Sequence, residues 1–144
     1  MISMIFVSSC ANKESSNEGS TSEQKEKQAS EIKAVMDIHD EVMPLMGKMI
    51  KYRKKAISRA ELLLQDSLDS NDQEGMELEN LAIELDAAAE SMMQWMRSYN
   101  PDFDSLDHDE IMVYLKSEKE KINEVNTKIK SVMDKSKELL SEEE

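Results

Sequence analysis

Two donor types with an affinity for soft metal ions recur in this chain at helical spacing. Residues 36–49, MDIHDEVMPLMGKM, hold four methionines and one of only two histidines. His39 and Met43 stand four positions apart, on one face of a helix. Thioether sulfur and imidazole nitrogen together suit Cu(I), and a thiol-oxidising compartment favours methionine over cysteine as the ligand. Met92, Met96 and His108 repeat the same donors farther along. The candidate metal set is therefore His39, Met43, Met46, Met92, Met96 and His108, with copper ahead of haem because no CxxCH attachment motif exists. Against it stands packing, since methionine is unbranched, fills irregular gaps between helices and makes favourable contacts with rings such as Trp95. No cofactor is the first expectation and copper the alternative.

Other chemistry finds little material. Three glycines leave no phosphate-cradling loop, and the chain has no HExxH, no nucleophile elbow and a single cysteine, Cys10, so no catalytic residue is expected and the protein is read as a non-enzyme. A net charge of −13 repels nucleic acid and anionic head groups. The basic run from Lys48 to Arg59 does not reverse this, because the stretch 79–90 that should face it carries Glu79, Glu84, Asp86 and Glu90.

Helices must position these side chains. With 4% aromatics, three glycines and two prolines, the composition implies one all-α domain. In the last segment Ile111, Leu115, Ile122, Val125, Ile129 and Val132 form a coiled-coil-like heptad seam, with Glu118 and Ser136 in its gaps. In the middle segment Leu78, Leu81, Leu85, Ala88, Met92 and Trp95 alternate three- and four-residue steps. Turn-forming residues 69–72 and Asn100-Pro101-Asp102 separate the segments, and Asp107 with Glu110 makes a capping-box start. The expectation is an antiparallel up-down-up three-helix bundle over 31–141, with helices at 31–67, 72–99 and 107–140. Pro44 kinks the first helix by removing a bond to Asp40, and Gly47 adds tolerance for distortion.

Short turns also imply a register. Facing residues of the first two helices should sum to about 138, pairing Met46 with Met92, Met43 with Trp95 and His39 with Tyr99. Those of the last two should sum to about 207, bringing Met96 to Ile111 and Met112, and Tyr99 to His108. On this count both histidines and the methionines gather at the end of the bundle nearer the N-terminal tether.

The opening MISMIFVSSC carries the evidence for location. Val7-Ser8-Ser9-Cys10 resembles a bacterial lipobox, which implies cleavage before Cys10 and a diacylglycerol on its sulfur. Residues 1–9 then read as a partial lipoprotein signal, too short for a complete one, and point to an upstream start or a fragment. Residues 10–30 read as the lipidated cysteine and a flexible, disordered linker, because the polar run after Cys10 cannot bury a core.

The strings His39-Asp40-Glu41-Val42-Met43-Pro44, Met92-Met93-Gln94-Trp95-Met96 and His108-Asp109-Glu110, followed by Tyr114-Leu115 and a long charged helix, resemble small helical bacterial lipoproteins of unsettled role. Some of these carry the label viral A-type inclusion protein. The resemblance spans about residues 32–140 and implies a membrane-anchored envelope protein; it transfers no catalytic residue. The functional expectation is a lipid-anchored helical module of the cell envelope, facing periplasm or cell surface, with another envelope protein as its partner.

Overall fold

The structure, a computed structural model, describes residues 21–65 and 72–140. Cys10, the leader, the first part of the linker and residues 69–71 of the first expected turn lie outside the described residues. Every regular element among those described is a helix: α1 Ser22–Val42, α2 Leu45–Gln65, α3 Asp72–Ser98 and α4 His108–Leu139. Pro44 divides the first expected helix into α1 and α2. The Met43 amide still reaches the His39 carbonyl at 3.0 Å, but the next link is the tighter Met46-to-Met43 bond at 3.2 Å, because proline has no amide hydrogen to continue the ladder.

The first helix starts nine residues earlier than its sequence pattern suggests. Thr21 caps α1, accepting from the Gln24 amide at 3.2 Å while the Gln24 side chain accepts from the Thr21 amide at 2.7 Å. This Thr-x-x-Gln box converts residues 22–30 from linker to helix, since it satisfies amides that a chain start would leave open. The Asp107–Glu110 box of α4 forms as anticipated, with bonds of 2.9 and 3.0 Å.

One apolar seam runs along each arm. Val35, Val42, Met49 and Ala56 recur every seven residues through α1 and α2, across the break. They meet Leu78, Leu81, Leu85, Ala88, Met92 and Trp95 of α3 and Leu115, Ile122, Val125, Ile129 and Val132 of α4, all buried. Two of the largest fully buried side chains, Met49 and Met92, are methionines, so the core is compliant rather than built on rigid rings.

Polar contacts fix how the arms run. Arg53 pairs with Asp86, and the Leu64 side chain approaches Gly75; both pairs sum to 139, close to the expected 138, so α3 runs opposite to α2. Contacts to α4 keep a nearly constant difference instead, 80 for Gln28 with His108, 89 for Glu41 with Lys130 and 85 for Lys55 with Leu140. The first arm and α4 therefore run the same way. Arg59 also pairs with Glu74, but the basic run has a further role. The Lys55 ammonium donates to the Leu140 carbonyl at 3.2 Å and the Arg59 guanidinium to the Leu139 carbonyl at 3.1 Å, neutralising the negative end of α4.

The third register departs from expectation. Tyr99 lies against Tyr114 and Lys135 reaches Glu84, pairs that sum to 213 and 219 rather than 207. This slip of six to twelve residues moves α4 by about 9–18 Å at ~1.5 Å per residue. Residues 99–107 account for it by continuing beyond the end of α3 before α4 turns back. Asn100 donates its amide to the Tyr114 hydroxyl at 2.7 Å, and successive Asx turns at Asn100 and Asp102 extend the loop.

The two helical glycines separate close approach from empty space. A β-carbon on Gly47 would meet nothing within 4 Å, whereas on Gly75 it would lie 2.8 Å from Leu64 side-chain atoms. Gly47→Ala should raise the unfolding free energy by about 0.5–1 kcal/mol through helix propensity. Gly75→Ala should show no such gain and a lower midpoint; urea denaturation followed by circular dichroism compares the two.

Candidate functional site

Where α3 ends, side chains from three helices and the following loop form one layer. α1 supplies Met36 and His39 from one face, α3 supplies Trp95 and Met96, Tyr99 follows directly on its last turn, and α4 supplies Tyr114 and Glu118. Four of the six aromatic residues in the sequence gather here. His39 lies 5.7 Å from the Trp95 ring centre, Trp95 stacks on Tyr99 at 5.1 Å, Tyr99 lies 6.1 Å from Tyr114, and Phe103 of the loop closes edge-on against Tyr114 at 5.8 Å. Ring pairs at these separations add to simple burial.

His39 joins the layer to sulfur. Its Nδ1 sits 2.9 Å from Asp40 Oδ1 and its Nε2 sits 3.4 Å from Met96 Sδ, with the side chain 15% exposed. In the neutral ring that donates from Nδ1 to Asp40, Nε2 presents a lone pair to the thioether, which is itself an electron-pair donor. His39 and Met96 both line an apolar groove of about 350 Å³, together with Ile32, Met36, Trp95, Tyr99 and Pro101. A turn away, Glu41 accepts from Asn126 at 2.8 Å and from Lys130 at 2.6 Å. The Lys130 ammonium first, and Asn126 second, hold the Glu41 carboxyl below its ordinary value. This clamp secures the end of α1 against α4.

The structure brings two of the expected metal donors together and places the others apart. His39 and Met96 meet, but His39 falls beside Trp95 and Met96 rather than Tyr99, because the first arm breaks at Pro44. His108 is elsewhere: the α4 slip puts its Nδ1 3.0 Å from the Gln28 side chain, eleven residues before His39 on α1. Met112 moves away with it. Met92 is fully buried, while Met43 and Met46 are partly buried against the same core, where they fill the space around the break. Nor does the layer stand at the end of the molecule, since α1 and α4 run on together past the last turn of α3. Among the described residues no three His, Cys, Asp or Glu side chains converge as a metal-holding group.

Glu118 is the residue that sequence reasoning noted and did not use. It occupies a gap in the α4 seam and is only 2% exposed. One carboxylate oxygen accepts from Lys121 at 2.7 Å; the other has no hydrogen-bond partner among the described residues, nor do the Trp95 indole nitrogen, the Tyr99 hydroxyl and Asn126 Oδ1. A polar residue at a heptad core position was the available signal. Ser136, in the second gap, is also buried but satisfies itself on the Val132 carbonyl at 2.7 Å.

Comparison of the chain with protein-family models, with curated proteins and with solved structures gives no significant match.

The layer makes two measurable statements. Burial, then the neighbouring Tyr114 and Glu118, push the Tyr99 hydroxyl above its ordinary value. Below about pH 10 both folded and unfolded chains keep that proton; above it the unfolded chain releases it first, so stability must fall as pH rises toward the raised folded value. Tyrosinate absorbance should show one of the three tyrosines titrating late, and Tyr99→Phe should remove that step. Glu118→Leu continues the Leu115–Ile122 seam and frees an exposed lysine, so it should stabilise the fold by roughly 1–4 kcal/mol. A loss of stability in chemical denaturation would mean that the carboxylate is fully compensated in the native protein.

Proposed function

We propose that the chain is a lipid-anchored, non-enzymatic helical module of the bacterial cell envelope, serving in binding or in structure. The observation that carries this reading is Val7-Ser8-Ser9-Cys10, with the only cysteine of the chain followed by a polar run up to the Thr21 cap. A diacylglycerol on Cys10 attaches an up-down-up bundle to the membrane by its first arm, through a tether that ends where Thr21 starts α1. No helix among the described residues is long and apolar enough to cross a membrane, and in this reading the lipid provides the membrane contact. The resemblance to small helical lipoproteins supports the same assignment.

The partner is another envelope protein rather than nucleic acid, which the charge of −13 repels. Exposed apolar side chains support a protein partner. Ile50 and Leu62 on α2, and Met76 and Ile83 seven apart on α3, are 54–70% exposed, and Leu62 and Met76 fall opposite each other in the α2–α3 register. Apolar contacts of this kind suit a further helix laid along the pair.

Expression in a bacterium behind a complete lipoprotein leader, with a clickable fatty acid in the medium, tests the anchor. The wild-type chain should carry the label and sediment with membranes, and Cys10→Ser should do neither. An unlabelled wild-type chain, or a labelled Cys10→Ser chain, sinks the assignment.

A further inference from the structure

We propose that Met36, His39 and Met96 form a site for a single soft monovalent cation, Cu(I), bounded by the indole of Trp95. The proposal goes beyond the anchored-module reading and does not require it. Its centre is the His39 Nε2 to Met96 Sδ separation of 3.4 Å. With metal–nitrogen near 2.0 Å and metal–sulfur near 2.3 Å, two donors on one ion at 105–120° lie about 3.4–3.7 Å apart. With zinc's bond lengths as the guide, the two atoms stand within the spacing a shared ion allows, a spacing that an N–H···S hydrogen bond also fills. Asp40 fixes the ring from the other side: in the Nδ1–H tautomer its carboxylate accepts from Nδ1 at 2.9 Å, which leaves Nε2 unprotonated, the arrangement that orients imidazole ligands at metal centres.

The third donor comes from the same helix. Met36 precedes His39 by three residues, on the same face, and lines the same groove as His39 and Met96. The groove lining contains no carboxylate and no cysteine. Two thioethers and one imidazole, with no carboxylate beside them and only the phenol of Tyr99 as an oxygen, favour Cu(I) over hard or borderline divalent ions. Trp95, packed 5.7 Å from the imidazole, adds a π face beside the cation. The groove is open to solvent at Met36, His39 and Met96, each partly exposed, so an ion can enter without unfolding the bundle.

Ag(I), which does not change oxidation state in air, serves as the probe. The full chain carrying Cys10→Ser is titrated, because a free thiol would otherwise bind silver first. Trp95 is the only tryptophan and reports directly: its fluorescence should change and saturate at one equivalent. Methionine-to-leucine changes conserve volume, so Met36→Leu and Met96→Leu should keep the helical circular dichroism spectrum. Each should weaken binding by at least the roughly 10–100-fold that loss of even an outer partner brings at metal centres. His39→Gln should do the same. Met43→Leu, Met92→Leu and His108→Gln should bind as the parent does, which separates this site from a diffuse methionine effect. An unchanged indole signal, or binding insensitive to Met36→Leu and Met96→Leu in folded protein, overturns the proposal.

Discussion

The missing amide hydrogen of Pro44 decides the architecture. A continuous first helix would present one straight face to both of its neighbours. The break lets α1 lean on α4 while α2 lies along α3. Glu41 then reaches Asn126 and Lys130 from the last turn of α1, and Arg53 reaches Asp86 from α2. The same break directs His39 toward the end of α3, where Trp95, Met96 and Tyr99 project. Met43, Met46 and Met49 sit around the discontinuity with different degrees of burial, a task for which a flexible, unbranched side chain is well suited. The methionine-rich segment therefore has two parts: Met43, Met46 and Met49 at the break fill space, and Met36 and His39 before it face the groove.

Much of this was legible from local rules and some was not, for identifiable reasons. The heptad seams of α3 and α4 survived because each arm buries one stripe whatever its partner. The α2–α3 register was also readable, since Arg53 and Leu64 meet Asp86 and Gly75 near the expected sum. The α3–α4 register was not, because it depends on the path of a nine-residue connection whose Asx turns and Asn100–Tyr114 bond carry it beyond the end of α3. Counting from the middle of a loop assumes a symmetrical hairpin. That single error exchanged His108 and Met112 for Tyr114 and Glu118. The start of α1 was misread for another reason: Thr21 and Gln24 lie in a stretch whose overall polarity resembles linker, and composition concealed a two-bond cap.

A core of aliphatic side chains repeated at heptad spacing tolerates many registers, which makes its few polar insertions important. Leucine or methionine at position 118 would pack against either neighbour after a slip of one turn. A buried carboxylate would not, because its place beside Tyr99 is available at only one height, whereas its bond to Lys121 runs within α4 and travels with the helix. The same holds for Asn126, which reaches Glu41 only when α1 and α4 are offset by 85 residues. Buried polar groups usually contribute specificity at the expense of stability. Here Glu118 accompanies the ring ladder, so the layer that buries an incompletely paired carboxylate also helps to align the arms.

Alignment matters to the groove because its walls come from different arms. Met36 and His39 belong to α1, Met96 to α3, and the Glu41–Asn126–Lys130 clamp ties α1 to α4 within a turn of His39. Sliding α1 along α4 by one helical turn, about 5.4 Å, would part Nε2 from the sulfur by more than any shared ion can bridge. The same helix extends well before the groove: from Ser22 to Met36 it rises about 20 Å, held to α4 by Gln28–His108 and Glu31–Lys119. Those paired turns and the Glu41 clamp fix α1 against α4 on both sides of His39, and the height they fix sets the meeting of nitrogen with sulfur.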